Sequence, residues 1–259
     1  MKTELITKDI NRAAEIIKNG GLVAVPTETV YGLAGNGLNE NAVNNIYEVK
    51  GRPSIKPLSL MVSGPDAIDA YCHSVPKQAW TLARRFWPGP LTIVLNAKDN
   101  IPGIVLAGGD TVGLRCPDHP LTLELLAQSK LPLAAPSANP SAEESPKTAE
   151  KVLEYFDGKI EAVIDGGPCG IGKESTIIDM SVTPYRILRQ GALEEKDIIS
   201  VLTDELKIFG ITGGTGCGKS ALMIVGGQRE AAACDACADA LHQRMCGYRS
   251  DRSGAECGD

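Results

Sequence analysis

Histidine is scarce in this chain, which limits the chemistry that its sequence can support. Only three of the 259 residues are histidines, and the first 200 residues hold two of them, His73 and His119. The G-x-S-x-G motif of a nucleophile elbow and the H-E-x-x-H motif of zinc proteases are both absent from the sequence. The first 200 residues therefore argue against a Ser–His nucleophile pair and against a histidine-rich metal site.

Long apolar runs are absent as well. No run approaches the roughly 18 residues of a membrane span, and the first 20 residues lack the apolar stretch of a signal peptide. We therefore expect a cytoplasmic protein without membrane contact. The hydrophobic fraction of 43% and the charged fraction of 22% are those of a globular chain with a sizeable core.

Basic residues are too few to make the whole chain positive. The formal net charge is −6, so no global field would draw the protein onto nucleic acid. Any site for a nucleotide or for RNA must then be a local basic patch.

The eight cysteines are unevenly placed. Cys72, Cys116 and Cys169 are scattered, whereas the other five lie between 217 and 257. This change of composition predicts two parts, a domain at 1–200 and a tail at 201–259. A disulfide framework is not expected in a cytosolic chain.

Strand-like segments alternate with segments of helical period along the first 200 residues. Helices are predicted at 9–19, 39–51, 76–87, 119–129 and 147–156, and strands at 21–26, 57–62, 91–97, 111–116, 131–135, 161–167, 175–180 and 185–190. This alternation is typical of an α/β fold. Because several strands follow one another without a helix, we expect a mixed sheet.

Cations and hydroxyls follow the predicted strands, where α/β sheets usually carry their sites. Lys50, Arg52 and Lys56 share one loop with two prolines, and such cations suit a polyphosphate. A Thr-Glu-Thr turn at 27–29 can hold a small polar ligand. Each stretch by itself is also consistent with a capped turn or a solvated loop. Together they predict one polar site, with further members at other strand ends: Arg115, Ser137, Asn139, Ser145, the stretch 172–179 and Arg189.

The order of these motifs resembles that of the YrdC-type L-threonylcarbamoyladenylate synthase family, over residues 5–195. The shared elements are, in chain order, PTETVYGL, the K-x-R of KGRP, KPLSL, WPGPLT, RCPDHP, the S-x-N of APSAN, KESTIID and ILRQGA. The resemblance implies an α/β fold with a twisted mixed sheet, surrounding helices and a basic concave face.

The resemblance also implies a reaction. A nucleotidyltransferase of this family joins L-threonine, bicarbonate and ATP into threonylcarbamoyl-AMP and releases pyrophosphate, and Mg2+ shares the charge of the phosphates. The product feeds threonylcarbamoylation of the adenosine beside the anticodon of tRNA. Separate threonylcarbamoyltransferase proteins would complete the transfer, and tRNA or another double-stranded RNA would contact the basic face.

Site residues follow from the family positions. The K-x-R element, Lys50 and Arg52, would be catalytic, and Arg115 would bind the threonine carboxylate. The other threonine ligands would be Thr29, Ala135 and Ser175. The nucleotide ligands would be Arg52, Lys56, Thr111, Ser137, Asn139, Ser145 and Arg189.

One position departs from the family pattern. Some members carry a histidine on the threonine side where this chain has Met61. Because a thioether cannot replace the hydrogen bonds of an imidazole, we expect the affinity or the selectivity for threonine to differ.

The tail carries a second motif. Its segment 206–222 resembles the opening of dephospho-CoA kinase, and the phosphate-loop pattern G-x-x-x-x-G-K-[ST] is matched by Gly213, Gly218, Lys219 and Ser220. Only 39 residues follow Ser220, far fewer than such a kinase needs. We interpret the tail as a truncated, poorly ordered remnant. The alternative is a zinc site with the ligands Cys234, Cys237, His242 and Cys246.

Two alternatives to a synthase stay open. The first is a paralogue that binds RNA or nucleotide through the same face without catalysis, which Met61 favours. The second is a bifunctional synthase and kinase, which the length of the tail disfavours. Threonine-dependent turnover of ATP separates the synthase from the binding paralogue.

Overall fold

A computed structural model describes residues 2–205 and 221–222 of the chain. Eleven strands lie within these ranges: Glu4–Ile6 (β1), Val23–Val25 (β2), Gly32–Asn36 (β3), Ser59–Met61 (β4), Leu91–Asn96 (β5), Thr111–Arg115 (β6), Leu133–Ala134 (β7), Ala162–Ile164 (β8), Thr176–Asp179 (β9), Tyr185–Arg189 (β10) and Ala221–Leu222 (β11). The α-helices of the same ranges are Ile10–Lys18 (α1), Glu40–Lys50 (α2), Ile68–Tyr71 (α3), Lys77–Phe86 (α4), Gly103–Leu106 (α5), Pro120–Ser129 (α6), Ala149–Phe156 (α7) and Glu195–Glu205 (α8).

The strands form one open sheet in the order β1-β8-β2-β3-β7-β4-β6-β5-β9-β10-β11. The pairs β1–β8, β2–β8, β4–β6 and β5–β9 are parallel, and the remaining neighbours are antiparallel. The α/β fold with a mixed sheet, expected from the sequence, is therefore confirmed. No helix in the described part of the chain combines the length and the apolar character that crossing a membrane requires.

Alternation along the central strands separates the core from an open face. Leu91, Ile93 and Leu95 of β5 are buried in the main hydrophobic cluster, together with Leu114 of β6. Side chains two residues apart on a strand share a face, so the residues between these, including Thr92, lie on the opposite face. On these central strands the opposite face is polar, whereas toward β2, β3 and β8 the same side of the sheet is covered by a second hydrophobic cluster that includes residues of α1 and α6.

The basic residues Lys50, Arg52 and Lys56 lie at the end of helix α2 and in the loop that follows it. Asn39 caps its start, since the Asn39 side chain accepts hydrogen bonds from the amides of Asn41 and Ala42. Gly51 ends the helix in the left-handed conformation, with φ of 57°. The turn therefore falls between Lys50 and Arg52, and it sends these two cations in different directions.

Helix α8 crosses the domain boundary that composition predicts at residue 200. Ile198 and Leu202 are fully buried in the main core, so the folded unit extends at least to Leu202. In the tail, Ala221 and Leu222 pair with β10. The predicted phosphate loop and zinc ligands lie outside the described residues: Gly213, Gly218, Lys219, Ser220, Cys234, Cys237, His242 and Cys246.

Candidate active site

A cleft of about 190 Å³ opens on the polar face of the sheet. Its floor comes from β4, β5, β6 and β9, and its rim from the turn after β2, the loop after α2 and the segment after β7. Six of the residues that the sequence predicted line it: Arg52, Arg115, Ala135, Ser137, Ser175 and Arg189. Sequence positions from 52 to 189 thus meet in one place.

Arg115 ends β6 and is 8% exposed. Its Nη2 donates to Glu28 Oε1 at 2.7 Å and to Thr29 Oγ1 at 2.8 Å, and its Nε donates to the Gly89 carbonyl at 3.4 Å. Among the described residues, no acceptor meets Nη1. The guanidinium is therefore anchored on one edge and leaves a donor for a ligand carboxylate or phosphate.

Thr29 lies behind Arg115 and is fully buried. The Thr27 hydroxyl donates to the Val30 carbonyl at 2.6 Å and lies 2.8 Å from Thr29 Oγ1. The proton of Thr27 is used, so the Thr29 hydroxyl donates to Thr27 and accepts from Arg115. Thr29, predicted from the family position to bind threonine, contacts Arg115 and is not among the residues lining the cleft.

A pair of hydroxyls lies on the floor. Thr92 Oγ1 and Ser175 Oγ are 2.9 Å apart, and both residues line the cleft. Arg189 Nη2 donates to the Ser175 carbonyl at 2.8 Å and to its hydroxyl at 3.1 Å. Burial is the main reason why the pKa of Arg189 is lowered, although a guanidinium remains charged at neutral pH.

Lys50 lies beneath the rim and is 3% exposed. Its Nζ donates to the carbonyls of Ser137 and Asn139, and it is not among the residues lining the cleft. Burial, aided by the nearby Arg52 charge, lowers the pKa of Lys50 to about 7. The side chain therefore supports the segment that presents Ser137 to the cleft.

Arg52 turns toward the cleft instead. Its Nη2 donates to the Pro57 carbonyl at 3.1 Å, and its Nε is buried without a partner. Burial lowers the pKa of this guanidinium. A buried donor without an acceptor is uncommon in folded proteins, and it fits an anionic ligand here.

The other predicted nucleotide ligands are placed differently. Asn139 is buried and its amide nitrogen donates to the carbonyls of Pro140 and Glu143. Ser145 Oγ donates to Glu174 Oε1 at 2.8 Å. Lys56 is exposed, and Thr111 begins the strand that Arg115 ends. None of these four predicted ligands is among the residues that line the cleft, so their contact with nucleotide stays a prediction.

Sequence reasoning gave no role to Glu28, Ser59, Thr92 or Glu174. Glu174 is the single carboxylate among the described residues that line the cleft. The hydrogen bond from Ser145 is the main reason why its pKa is lowered. The one available signal for Glu28 was its place inside the Thr-Glu-Thr turn. Met61, the departure from the family pattern, also lines the cleft.

All residues that line this cleft lie in the part of the chain that matches the model of a known protein family. The model of the Sua5/YciO/YrdC family, described as telomere recombination, matches residues 15–191. The chain belongs to the Sua5/YciO/YrdC family. The cleft-lining residues of this Sua5/YciO/YrdC chain, from Val30 to Arg189, all fall inside the match, and the resemblance seen in the sequence is confirmed.

Two curated relatives carry the name threonylcarbamoyl-AMP synthase. One, from Pyrococcus abyssi, is 47% identical over 193 residues, which are 74% of this chain and 57% of the relative. The other, from Bacillus subtilis, is 45% identical over 202 residues, which are 77% of this chain and 58% of the relative. This Sua5/YciO/YrdC chain therefore spans a little more than half the length of these relatives.

A solved structure of Pyrococcus abyssi Sua5 complexed with L-threonine has the same fold. It is 40% identical to this chain with a TM-score of 0.75, and the match covers 86% of this chain and 68% of that one. The expected YrdC-like architecture is thereby confirmed.

Proposed function

We propose that this chain is a nucleotidyltransferase that forms threonylcarbamoyl-AMP and pyrophosphate from L-threonine, bicarbonate and ATP. The observation that carries the proposal is the anchored Arg115, which lines the same cleft as the Thr92–Ser175 hydroxyl pair and two further arginines. Its Nη1 meets no acceptor among the described residues. The names of the curated relatives and the threonine-bound Pyrococcus structure support the proposal.

The threonine end of the cleft would be the one around Arg115. Its free guanidinium nitrogen is a donor for the α-carboxylate, and the hydroxyls of Thr92 and Ser175 can exchange hydrogen bonds with the substrate hydroxyl. Gly32, Ala135 and Met61 line the same cleft, and they leave room for a short side chain while covering it with apolar surface.

The nucleotide end would lie toward Arg52 and Arg189. Their guanidiniums and the Ser137 segment can bind the triphosphate, and Lys50 would hold that segment from below. A site of this kind needs no covalent intermediate, because positioning and charge stabilisation supply the catalysis.

The reaction balances without a redox step. Bicarbonate supplies CO2, with loss of water, to the threonine amine, which loses a proton and becomes a carbamate. A carbamate oxygen then bonds to the α-phosphorus of ATP, and the bond from that phosphorus to the bridging oxygen of pyrophosphate breaks. Arg52 and Arg189 would offset the charge on the phosphorus oxygens and on the leaving pyrophosphate.

Mg2+ belongs to the proposal as a companion of ATP. The described residues contain no group of three or more potential ligands drawn from histidine, cysteine, aspartate and glutamate. Magnesium is commonly held by substrate phosphates with only one or two carboxylates, and Glu174, which lines the cleft, would be one of them. When bound, the ion would neutralise part of the triphosphate charge.

The experiment is mass spectrometry of a mixture of the protein, ATP, threonine and bicarbonate, with pyrophosphate measured in parallel. We expect threonylcarbamoyl-AMP, and pyrophosphate release above a control without threonine. Release at the level of that control would overturn the proposal and favour the binding paralogue. Transfer of the product to tRNA by partner threonylcarbamoyltransferases is part of the same proposal.

A further inference from the structure

We propose that Glu28 is the positioning residue that aims Arg115 at the carboxylate of the amino-acid substrate. The inference rests on the proposed function, because it assigns Arg115 to that carboxylate. Glu28 itself is not among the cleft-lining residues, so it would act through Arg115 and not by contact with the substrate.

The two carboxylate oxygens of Glu28 have separate partners. Oε1 accepts from Arg115 Nη2 at 2.7 Å, and Oε2 accepts from the Asp118 amide at 3.0 Å. The side chains of Arg115 and Glu28 are 9% and 12% exposed. A buried, hydrogen-bonded ion pair fixes geometry more firmly than a solvated one, since neither partner can exchange freely with water.

The backbone of Glu28 is also fixed. Its carbonyl accepts from the Ile171 amide at 2.8 Å, and the neighbouring Thr29 carbonyl accepts from the Gly172 amide at 2.9 Å. On the other side, Thr27 Oγ1 accepts from the amides of Thr29 and Val30. The Glu28 carboxylate is therefore carried by a turn whose backbone is fixed by hydrogen bonds from residues 171–172 and by hydrogen bonds to the Thr27 hydroxyl.

Anchoring Nη2 sets the direction of the whole guanidinium, because that group is planar. With Nη2 on Glu28 and Nε toward the Gly89 carbonyl, Nη1 is the nitrogen left for the substrate. Without Glu28, the contacts of Arg115 would be Thr29 and a 3.4 Å bond to Gly89. The guanidinium of Arg115 would then lose both the contact that orients it and the negative charge that compensates its own.

Glutamine cannot reproduce this arrangement. An amide of the same shape offers one acceptor oxygen, and its nitrogen would face the second donor, either Arg115 or the Asp118 amide. The substitution Glu28→Gln therefore breaks one of the two bonds without removing volume. Glu28→Asp keeps the charge but is one methylene shorter.

The test uses the full chain and measures two affinities. Threonine binding is followed by titration calorimetry without ATP, and the KM values for threonine and ATP are measured in the pyrophosphate assay. For E28Q we expect the threonine Kd and KM to rise at least about tenfold, with the KM for ATP changed less than about threefold. The control is D179N, which breaks the ion pair between Arg186 Nη2 and Asp179 Oδ2, whose atoms are 3.1 Å apart. Neither residue lines the cleft, and we expect both KM values to stay unchanged.

Several outcomes would overturn the inference. Wild-type threonine affinity in E28Q would do so, as would a parallel rise of both KM values, which would indicate a general structural role. If E28Q does not fold, the same measurements are made on E28D. We expect the same rise in the threonine KM, and a threonine KM equal to that of the wild type would contradict the inference. Failure of the wild-type chain to bind threonine would refute the proposed function itself, which separates the two results.

Discussion

At the scale of single residues, Lys50 and Arg52 show that two neighbouring cations can have different surroundings. The family position of the K-x-R element predicts a catalytic lysine, and that role stays a prediction. The Lys50 side chain is buried, donates to two carbonyls and is not among the residues that line the cleft. Its neighbour Arg52 lines the cleft. Two cations that look equivalent in sequence thus have different surroundings, because the left-handed Gly51 turns the chain between them.

Lys50 predicts a pH-dependent stability. Its pKa is about 7 in the folded chain and near 10.5 when exposed, so the unfolded state binds more protons between these values and stability rises with pH across that window. Between about pH 8 and pH 9.5 the gain from this group is about 1 to 2 kcal/mol. Urea unfolding at each pH should show this gain in the wild type and lose it in K50M.

The matched control for that measurement is K56M. Lys56 lies in the loop that follows Lys50 and is exposed, so its removal should leave the slope of stability against pH as in the wild type. A K50M slope equal to that of K56M would contradict the prediction.

Thr92 predicts selectivity for a hydroxylated amino acid. A site built to hydrogen-bond a substrate hydroxyl rejects an isostere that lacks it far better than an apolar pocket does. T92V removes one member of the Thr92–Ser175 pair without changing volume, so we expect the preference for threonine over valine to fall at least about tenfold. The ratio of kcat/KM for the two amino acids, each measured separately in the pyrophosphate assay, gives this preference.

The control is T81V, a threonine on the surface of α4, which should leave the preference unchanged. An undiminished preference in T92V would mean that the hydroxyl pair does not contact the substrate side chain.

Site residues were predictable where they end strands. Arg115 and Arg189 follow apolar residues at strand ends, and this position predicted a binding role for both. Thr92 sits inside a strand, where one polar residue among apolar neighbours carries no distinct signal. Glu28 could not be assigned either, since its function depends on Arg115, a residue 87 positions away in the chain.

At the scale of elements, propensity identified the strands rich in β-branched and aliphatic residues. It missed three strands: β1, which has three residues, β11, which has two, and β3, whose sequence GLAGN has no β-branched residue. β3 exists because its backbone pairs with β2 on one side and β7 on the other. Such pairing is a property of the assembled sheet, so a local pattern does not predict it.

The segment after β10 predicts a packing defect on substitution. A Cβ on Gly191 would lie 2.3 Å from the Glu174 carbonyl oxygen and from the Ser175 carbonyl carbon. These are backbone atoms that cannot rotate away, so G191A must displace the segment that carries Ser175. We expect a loss of about 2 kcal/mol in the free energy of unfolding and a raised threonine KM.

Gly170 provides the control, because a Cβ there meets nothing within 4 Å. G170A should keep wild-type stability and KM, as measured by urea unfolding and the pyrophosphate assay. Equal stability and equal threonine KM in G191A and G170A would show that the segment at Glu174 and Ser175 can shift without cost and does not determine the geometry of the cleft.

At the scale of the whole molecule, charge is distributed unevenly. The chain carries a net charge of −6, yet the described residues that line the cleft include three arginines and one carboxylate. An acidic exterior disfavours general binding of polyanions, whereas a local cationic cleft selects a small anion that fits. This arrangement favours a nucleotide substrate over extended nucleic acid.

Two parts of the chain compete for the phosphate chemistry, the cleft and the loop pattern at 213–220. If the cleft is responsible, K219A should keep threonine-dependent pyrophosphate release within about twofold of wild type. R189A removes a cleft guanidinium that is anchored on Ser175, so release should fall about a hundredfold, as for loss of a donor at a developing charge. Both variants remove one cation, so the comparison isolates its location. The reverse result, a large loss in K219A and none in R189A, would move the reaction to the tail and restore the kinase interpretation of its motif.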